Sequence, residues 1–282
     1  MTKRLGVVIH HHRHEVLALA EKAFLWCEGR IEPVICQTDA ELLDRPDLAR
    51  SDESFGDGLD ACLSLGGDGT MLRSVSLVAS HGVPILGVNA GQMGYLTEVD
   101  PPHMEEALGQ WFDGSLQIEQ RMMLELSSPE YPDWRGVALN EAVVSRSESG
   151  RTLDVSAAID GAHFSDYLAD GLMVSTPTGS TAYSLSAGGP IVQPDFEALL
   201  LTPVAAHMVF NRSMVLSPSS EVSITVRGYK PAVVSLDGQT STELQPGETL
   251  HCRASETSAR LLVSGRRDFH SVLKDKFGLQ DR

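Results

Sequence analysis

The chain has 282 residues and a formal net charge of −16, long enough to bury one large core or two ordinary ones. That charge excludes general nucleic-acid binding, which needs a basic face, so any phosphate has to be met locally by backbone N–H groups, a few arginines and a metal ion. No apolar run reaches the roughly 18 residues of a membrane span and the start lacks a signal-peptide pattern, so a cytoplasmic protein that does not use membranes is expected.

The first apolar run, residues 5–9, reads as a buried parallel strand. Residues 14–27 come next, with apolar side chains at Val16, Leu17, Ala20, Ala23, Phe24 and Cys27, which is helical spacing, and Gly29 closes that helix. Residues 31–36 predict a second strand. Residues 39–58 are acidic and weakly patterned and read as a surface loop with a short helix. A strand at 59–65 runs into Gly66-Gly67-Asp68-Gly69-Thr70, a helix at 71–81 ends at Gly82, and residues 83–88 form a further strand. Such alternation is the mark of an open parallel α/β sheet.

After Gly114 the pattern changes to short, partly alternating segments. Residues 116–126 begin this region, and strands are expected at 136–146, 153–159, 172–175, 222–226, 232–236 and 260–263, giving a largely antiparallel β domain. Phe269, Val272, Leu273 and Phe277 then fall on one face of a final helix at 268–278, which docks back on the first domain. The expected fold is therefore an α/β N-terminal domain with a parallel sheet plus an all-β C-terminal domain. Its boundaries are 1–115, with 266–282 returning to it, and 116–265. Cys27, Cys36, Cys62 and Cys252 form no CxxC pair, so they read as small buried side chains, not as a zinc or redox site.

Five blocks carry chemistry. Gly66 to Thr70, between a strand and a helix, lets backbone approach a ligand closely and opens a helix N-terminus to negative charge. An acid beside a bound polyphosphate is repelled unless it holds a metal or takes a proton from a nucleophile, which singles out Asp68; the plain alternative is a turn in which Asp68 is only a cap. Neither GxxxxGK[ST] nor GxGxxG is present. The loop Gly87-Val88-Asn89-Ala90-Gly91-Gln92-Met93-Gly94-Tyr95-Leu96 leaves the next strand at the same sheet edge, where open α/β sheets bind ligands. Asn140-Glu141 sits inside an apolar strand, where a buried polar side chain needs a partner and ribose hydroxyls would supply one. Residues 170–190 pack hydroxyl side chains, glycines and Tyr183 into a run with little to bury, suited to a sugar or a base. Asp237-Gly238-Gln239 is, by composition, a tight hairpin turn.

Together these blocks resemble the NAD kinase family, from the first strand to the last helix. The resemblance is most specific at Gly66 to Thr70, at Asn140-Glu141 and across residues 170–190. The first block alone is shared with diacylglycerol and sphingosine lipid kinases. The resemblance implies a fold of the NAD kinase/diacylglycerol kinase type with a site between two domains. It implies transfer of the γ-phosphoryl of ATP to the 2′-hydroxyl of the adenosine ribose of NAD, with Mg²⁺ or another divalent cation, in a homodimer or homotetramer. Asp68 would be the catalytic base, with Gly69 beside it in the NAD contact; Arg73 and Asn89 would be ligand contacts. Asn140 and Glu141 would bind ribose hydroxyls, and Arg151 and Asp170 would line the dinucleotide site. Thr181, Ala182, Tyr183, Ser184, Leu185 and Ser186 would hold the NAD, Tyr183 beside an adenine, with Gln239 as the late contact. No residue is assigned as a metal ligand. The chain departs from the family pattern at Gln92, where a basic residue is common, and at His10-His11-His12-Arg13-His14, which replaces an Asn-Pro-like strand end. Leu168-Ala169 also precede Asp170 where some members have an arginine.

Two other readings share these residues. A lipid kinase would carry an apolar or basic membrane-facing segment, and a non-catalytic nucleotide sensor would lack the acid in the glycine loop. The histidine run reads as a solvated strand-end loop in reach of a phosphate. Three consecutive histidines on a strand cannot all face one ion, and no acidic or cysteine partner is adjacent in sequence.

Overall fold

The computed structural model describes residues 2–91, 94–148, 152–265 and 268–279. The chain divides into two compact units, residues 1–120 with 259–282, and residues 121–258.

The first unit contains β1 (Lys3–Ile9), α1 (Glu15–Cys27), β2 (Ile31–Cys36), α2 (Gln37–Leu42), β3 (Ala49–Arg50), β4 (Ala61–Gly66), α3 (Asp68–Val78), β5 (Ile85–Asn89), α4 (Met104–Phe112) and β6 (Gln117–Arg121). The second contains β7 (Leu124–Ser128), β8 (Tyr131–Ala138), β9 (Glu141–Arg146), β10 (Leu153–Ile159), β11 (Ala162–Ala169), β12 (Gly171–Ser175), the short α5 (Tyr183–Ser186), β13 (Leu199–Val204), β14 (Met214–Leu216), β15 (Val222–Val226), β16 (Ala232–Leu236), β17 (Gln239–Leu244) and β18 (Thr249–Ala254). The chain then returns to the first unit as β19 (Ala259–Val263) and α6 (Phe269–Phe277).

In the first unit the strand order is β3-β2-β1-β4-β5-β19-β6, with β1, β2, β3, β4, β5 and β19 paired in parallel. Strands covered on both faces are apolar throughout: every residue of β4 and of β5 is buried. The apolar stripe of α1 (Val16, Leu19, Ala20, Ala23) joins Leu5, Val7, Leu63 and Leu65 in one core. Gly82 ends the helical run at φ +65, a left-handed turn that glycine adopts without strain. All four cysteines are free and buried; burial pushes the Cys27 thiol up to about 11 and those of Cys36 and Cys62 to about 12, so they behave as small apolar side chains.

Three sequence expectations are corrected here. The strand expected at 260–263 in the second domain lies instead in the first sheet, where Leu261 pairs in parallel with Ile85. Its apolar residues were legible; its partner, far upstream in the chain, was not. Residues 39–58 are not simply a surface loop: Asp39 is fully buried in α2, Phe55 is fully buried, and Ala49–Arg50 adds a short edge strand. Residues 136–146 are not one strand. They are the end of β8 in one sheet and the start of β9 in another, with a corner at Leu139 and Asn140.

The second unit has two six-stranded sheets, β11-β10-β15-β18-β7-β8 and β14-β13-β12-β9-β16-β17. Their strand pairs are antiparallel. Val155, Ile224 and Leu250 from the first share a core with Val144, Val174, Leu201 and Val234 from the second, so the sheets pack as a sandwich. Among the described residues no helix is long and apolar enough to cross a membrane.

At Gly179 an added Cβ would lie 2.1 Å from the backbone oxygen of Asn140. That neighbour is backbone and cannot rotate aside. Gly179→Ala is expected to cost about 1–3 kcal/mol, the usual range for overpacking, read as a lowered midpoint in thermal or urea unfolding.

Candidate active site

In the first unit β4 ends at Gly66, and α3 begins at Asp68 behind an extended Gly67. Both carboxylate oxygens of Asp68 accept backbone N–H groups: Oδ2 from Tyr95 at 2.8 Å and Oδ1 from Leu96 at 3.0 Å. The two glycine-rich loops, placed on one sheet edge by sequence, are thus joined through this side chain. The approach is close enough to require glycine at position 94, since a Cβ there would lie 2.0 Å from Asp68 Oδ1.

Asp68 and Gly69 line a cavity of about 400 Å³ together with His10, His11, His12, Arg13, Arg73 and Lys276. The carboxyl end of β1 and the first turn of α3 meet there. In a chain of net charge −16 this is a local concentration of cations and helix N-terminal amides, the chemistry of an anion cradle. The histidine run contributes to it; burial, then Arg13, lower the pKa of His10.

Arg73, expected as a ligand contact, does line the cavity, but most of its donors are taken. Nη2 donates to Ile9 O at 2.7 Å and to Asp39 Oδ2 at 2.5 Å, and Nη1 lies 2.8 Å from His11 Nε2. Asn89 ends β5 and is buried, its Nδ2 donating to Gly91 O at 3.3 Å. It lines a separate cavity of about 410 Å³ with Glu15 and Asp100, not the wall around Asp68.

In the second unit Asn140 and Glu141 are both buried. The carboxylate of Asp237 accepts the N–H groups of Leu139 at 2.8 Å, Asn140 at 2.7 Å and Glu141 at 3.1 Å. Asp237 is held for this by the hairpin between β16 and β17, with φ +48 at Asp237 and +80 at Gly238; Asp and Gly tolerate that region. Glu141 Oε2 is buried and has no hydrogen-bond partner among the described residues. Burial, reinforced by the neighbouring Asp237, pushes the Glu141 carboxyl up to about 7, and the neighbouring backbone N–H of Tyr183 acts to lower it. Asp237 is itself raised by burial, with its three backbone donors pulling the other way.

The rest of the expected contacts fall around this corner or away from it. Thr181 Oγ1 donates to Thr178 O at 3.3 Å, and Ala182 N to Gly179 O at 2.9 Å. Tyr183 and Ser186 are exposed, and Leu185 is half-buried. Ser184 is fully buried with its Oγ 3.4 Å from Thr202 Oγ1, so its hydroxyl serves the turn's packing. Gln239 is exposed at the start of β17, just past the Asp237 turn. Asp170 lies at the far end of β12: Ser175 pairs with Glu141, whereas Gly171 pairs with Ser145. Five strand steps separate it from Ser175, about 17 Å, and its carboxylate pairs with Arg146 at 2.8 Å. Arg151 lies outside the described residues, as does Gln92.

Sequence reasoning missed Asp39 and read Asp237 only as a turn. Three consecutive buried amides at a corner need an acceptor, but the corner itself reads as strand in the sequence, so nothing pointed to Asp237.

Residues 5–116 match the ATP-NAD kinase N-terminal domain, and residues 139–264 the ATP-NAD kinase C-terminal domain. The chain belongs to the NAD kinase family. An NAD kinase of Desulforamulus reducens is 38% identical over 277 residues, 96% of each chain. A crystal structure of yeast NADH kinase complexed with NADH superposes with a TM-score of 0.90 at 21% identity, over 100% of this chain and 89% of that one, and carries the fold. An NAD kinase from Archaeoglobus fulgidus in complex with ATP gives 0.73 at 25% identity, over 98% and 97%. The glycine loop shared with lipid kinases no longer leaves two readings, because both halves of the chain match NAD kinase domains.

Glu141 gives this NAD kinase family member a pH signature. Its folded-state pKa of about 7 lies above the ordinary 4.5, so the folded chain holds a proton the unfolded chain has released. The associated stability is full below about 4.5 and is lost as pH rises through about 7. Glu141→Gln stays neutral throughout. Its unfolding free energy is expected to exceed the parent's increasingly from about pH 4.5 to about 7 and then to level off, by up to about 3 kcal/mol at about 1.4 kcal/mol per pH unit. A difference flat with pH in denaturant titrations counts against a raised Glu141.

Proposed function

We propose that the chain phosphorylates the 2′-hydroxyl of the adenosine ribose of NAD, with ATP as donor, to make NADP. The observation that carries this is Asp68: a carboxylate aimed by two backbone amides, at the start of a helix, in a cavity it shares with Arg13, Arg73, Lys276, histidines and glycines. Family membership supports the choice of acceptor and donor.

In the transfer, the ribose oxygen forms a bond to the γ-phosphorus as the bond from that phosphorus to the leaving ADP oxygen breaks. The hydroxyl proton passes to Asp68 and then to solvent. Such transfers depend on positioning and charge neutralisation more than on covalent help. A carboxylate is a weak base toward an alcohol, so orienting the hydroxyl is as large a part of Asp68's task as taking the proton. Each of its oxygens keeps a lone pair beyond the one engaged by Tyr95 or Leu96. The α3 amides and the local cations face the donor's phosphates. In the second unit, the unpartnered Oε2 of Glu141 and the neighbouring Asn140 suit ribose hydroxyls, and exposed Tyr183 offers a ring face to the adenine.

Among the described residues no three His, Cys, Asp or Glu side chains form a metal site, and Asp68 is the one carboxylate lining its cavity. That fits Mg²⁺ arriving with the donor, since this ion keeps waters and takes few carboxylates alongside substrate phosphates. When bound, it neutralises charge on the transferring group. The reading also includes a cytoplasmic homodimer or homotetramer, as the family resemblance suggests.

Incubation with NAD, ATP and Mg²⁺ should yield NADP. Asp68→Asn should still bind NAD but turn over about 10²–10⁴-fold more slowly; near-normal turnover in that variant removes Asp68 from the mechanism. EDTA should abolish activity and added Mg²⁺ restore it, so full activity in excess EDTA would refute the metal requirement.

A further inference from the structure

We infer that Asp39 is a positioning residue for the phosphoryl donor, setting the turn at residues 10–13 against the cavity that holds Asp68. Asp39 has no exposed surface. Its Oδ2 accepts Ile9 N–H at 2.8 Å and Arg73 Nη2 at 2.5 Å, and its Oδ1 lies 2.7 Å from His11 Nε2. Arg73 Nη2 also donates to Ile9 O at 2.7 Å. The last residue of β1 is therefore gripped at both its N–H and its C=O by one ion pair, whose acid is fully buried and whose arginine is 23% exposed. A carboxylate with no exposed surface needs such a partner.

This grip sets the shape of the turn after β1. His11 Nε2 is within hydrogen-bond distance of both Asp39 and Arg73 and can serve one at a time. His12 N–H donates to His10 Nδ1 at 3.1 Å, closing the turn on itself. Arg73's charge is matched by Asp39, so the turn's own cations, Arg13 above all, are what it presents to the cavity. Arg13 keeps donors beyond the one it gives to Ala90 O at 2.5 Å. A turn fixed before binding presents its donors without an ordering cost. The ligand such a wall fits is a chain of phosphates, whether in a nucleoside triphosphate or in inorganic polyphosphate. The identity of ATP as donor rests on the proposed function; the role of Asp39 does not.

The test is calorimetric titration of the full chain and its Asp39→Asn variant with ATP–Mg²⁺, with inorganic tripolyphosphate and with NAD. The isosteric change removes one charge of the ion pair. ATP and tripolyphosphate affinities should both fall about tenfold, while NAD affinity stays within about twofold. In steady state, KM for ATP should rise with little change in kcat, whereas a merely structural defect lowers kcat or weakens all three ligands together. His11→Asn, at a ring that is one-third exposed, should weaken ATP in the same sense. The Asp39→Asn/His11→Asn double variant should be no worse than Asp39→Asn, because the two act through one contact. Unchanged ATP affinity in folded Asp39→Asn, equal weakening of NAD, or loss of ATP but not tripolyphosphate would each overturn the inference. If Asp39→Asn does not fold, unchanged ATP affinity in His11→Asn does so. A parent protein that shows these binding differences but forms no NADP sinks the proposed reaction and leaves this role standing.

Discussion

The carboxylate of Asp237 accepts three consecutive backbone N–H groups, those of Leu139, Asn140 and Glu141. At that point the chain leaves one sheet of the sandwich for the other and has no ladder partner on that side. Buried amides without acceptors cost about 1–3 kcal/mol each, so a side chain must replace the missing strand. A hairpin turn in left-handed conformation delivers it. The corner also brings Asn140 O to Thr176 N–H at 2.9 Å and leaves no room for a side chain at Gly179. The polar run after β12 is thereby seated against Asn140 and Glu141. Asp39 does comparable work in the first unit, at the end of β1. In both places an acid, fully buried at Asp39 and half-buried at Asp237, is spent on backbone geometry beside residues proposed to meet ligands.

These acids also explain how a chain of net charge −16 can present an anion cradle. The bulk charge is solvated, and beyond about 10 Å it is screened at ordinary salt. What the cavity offers is local: the start of α3, Arg13, Lys276 and the histidines. Asp39 lies close to this cavity, but its charge is cancelled by Arg73 at 2.5 Å. Asp68 remains as the acid facing the space, which suits the proposed acceptor, a hydroxyl with a proton to give.

The first unit was largely legible because parallel strands and amphipathic helices write their periods into the sequence. The runs at 5–9 and 31–36 and the stripe of α1 are read directly from apolar spacing. The return of β19 was not, since its five residues suit either unit and only pairing with Ile85 decides. The corner at Leu139 and Asn140 was invisible for a related reason: apolar residues on both sides hide a change of sheet. For the site, Asp68 stood out because an acid among glycines has few structural uses, and Glu141 because it interrupts an apolar run. Asp39 and Asp237 did not stand out. An acid in an acidic segment, or in an Asp-Gly turn, is the ordinary occupant, and its burial depends on contacts made by residues far away in the chain.

Asp68 shows how far such dependence extends. Its oxygens are fixed by the amides of Tyr95 and Leu96, so its aim is only as firm as that loop. Tyr95 is in turn covered by α6: its ring lies 6.5 Å from that of Phe269, and Lys276 Nζ sits 4.9 Å above it. Lys276 also lines the Asp68 cavity. The helix that closes the chain therefore does more than complete the first unit's fold. It steadies the loop that orients the acid and supplies one of the cations beside it. A carboxylate that is only weakly basic gains most from being held still, and the residues that hold it come from the second glycine loop and from the last helix.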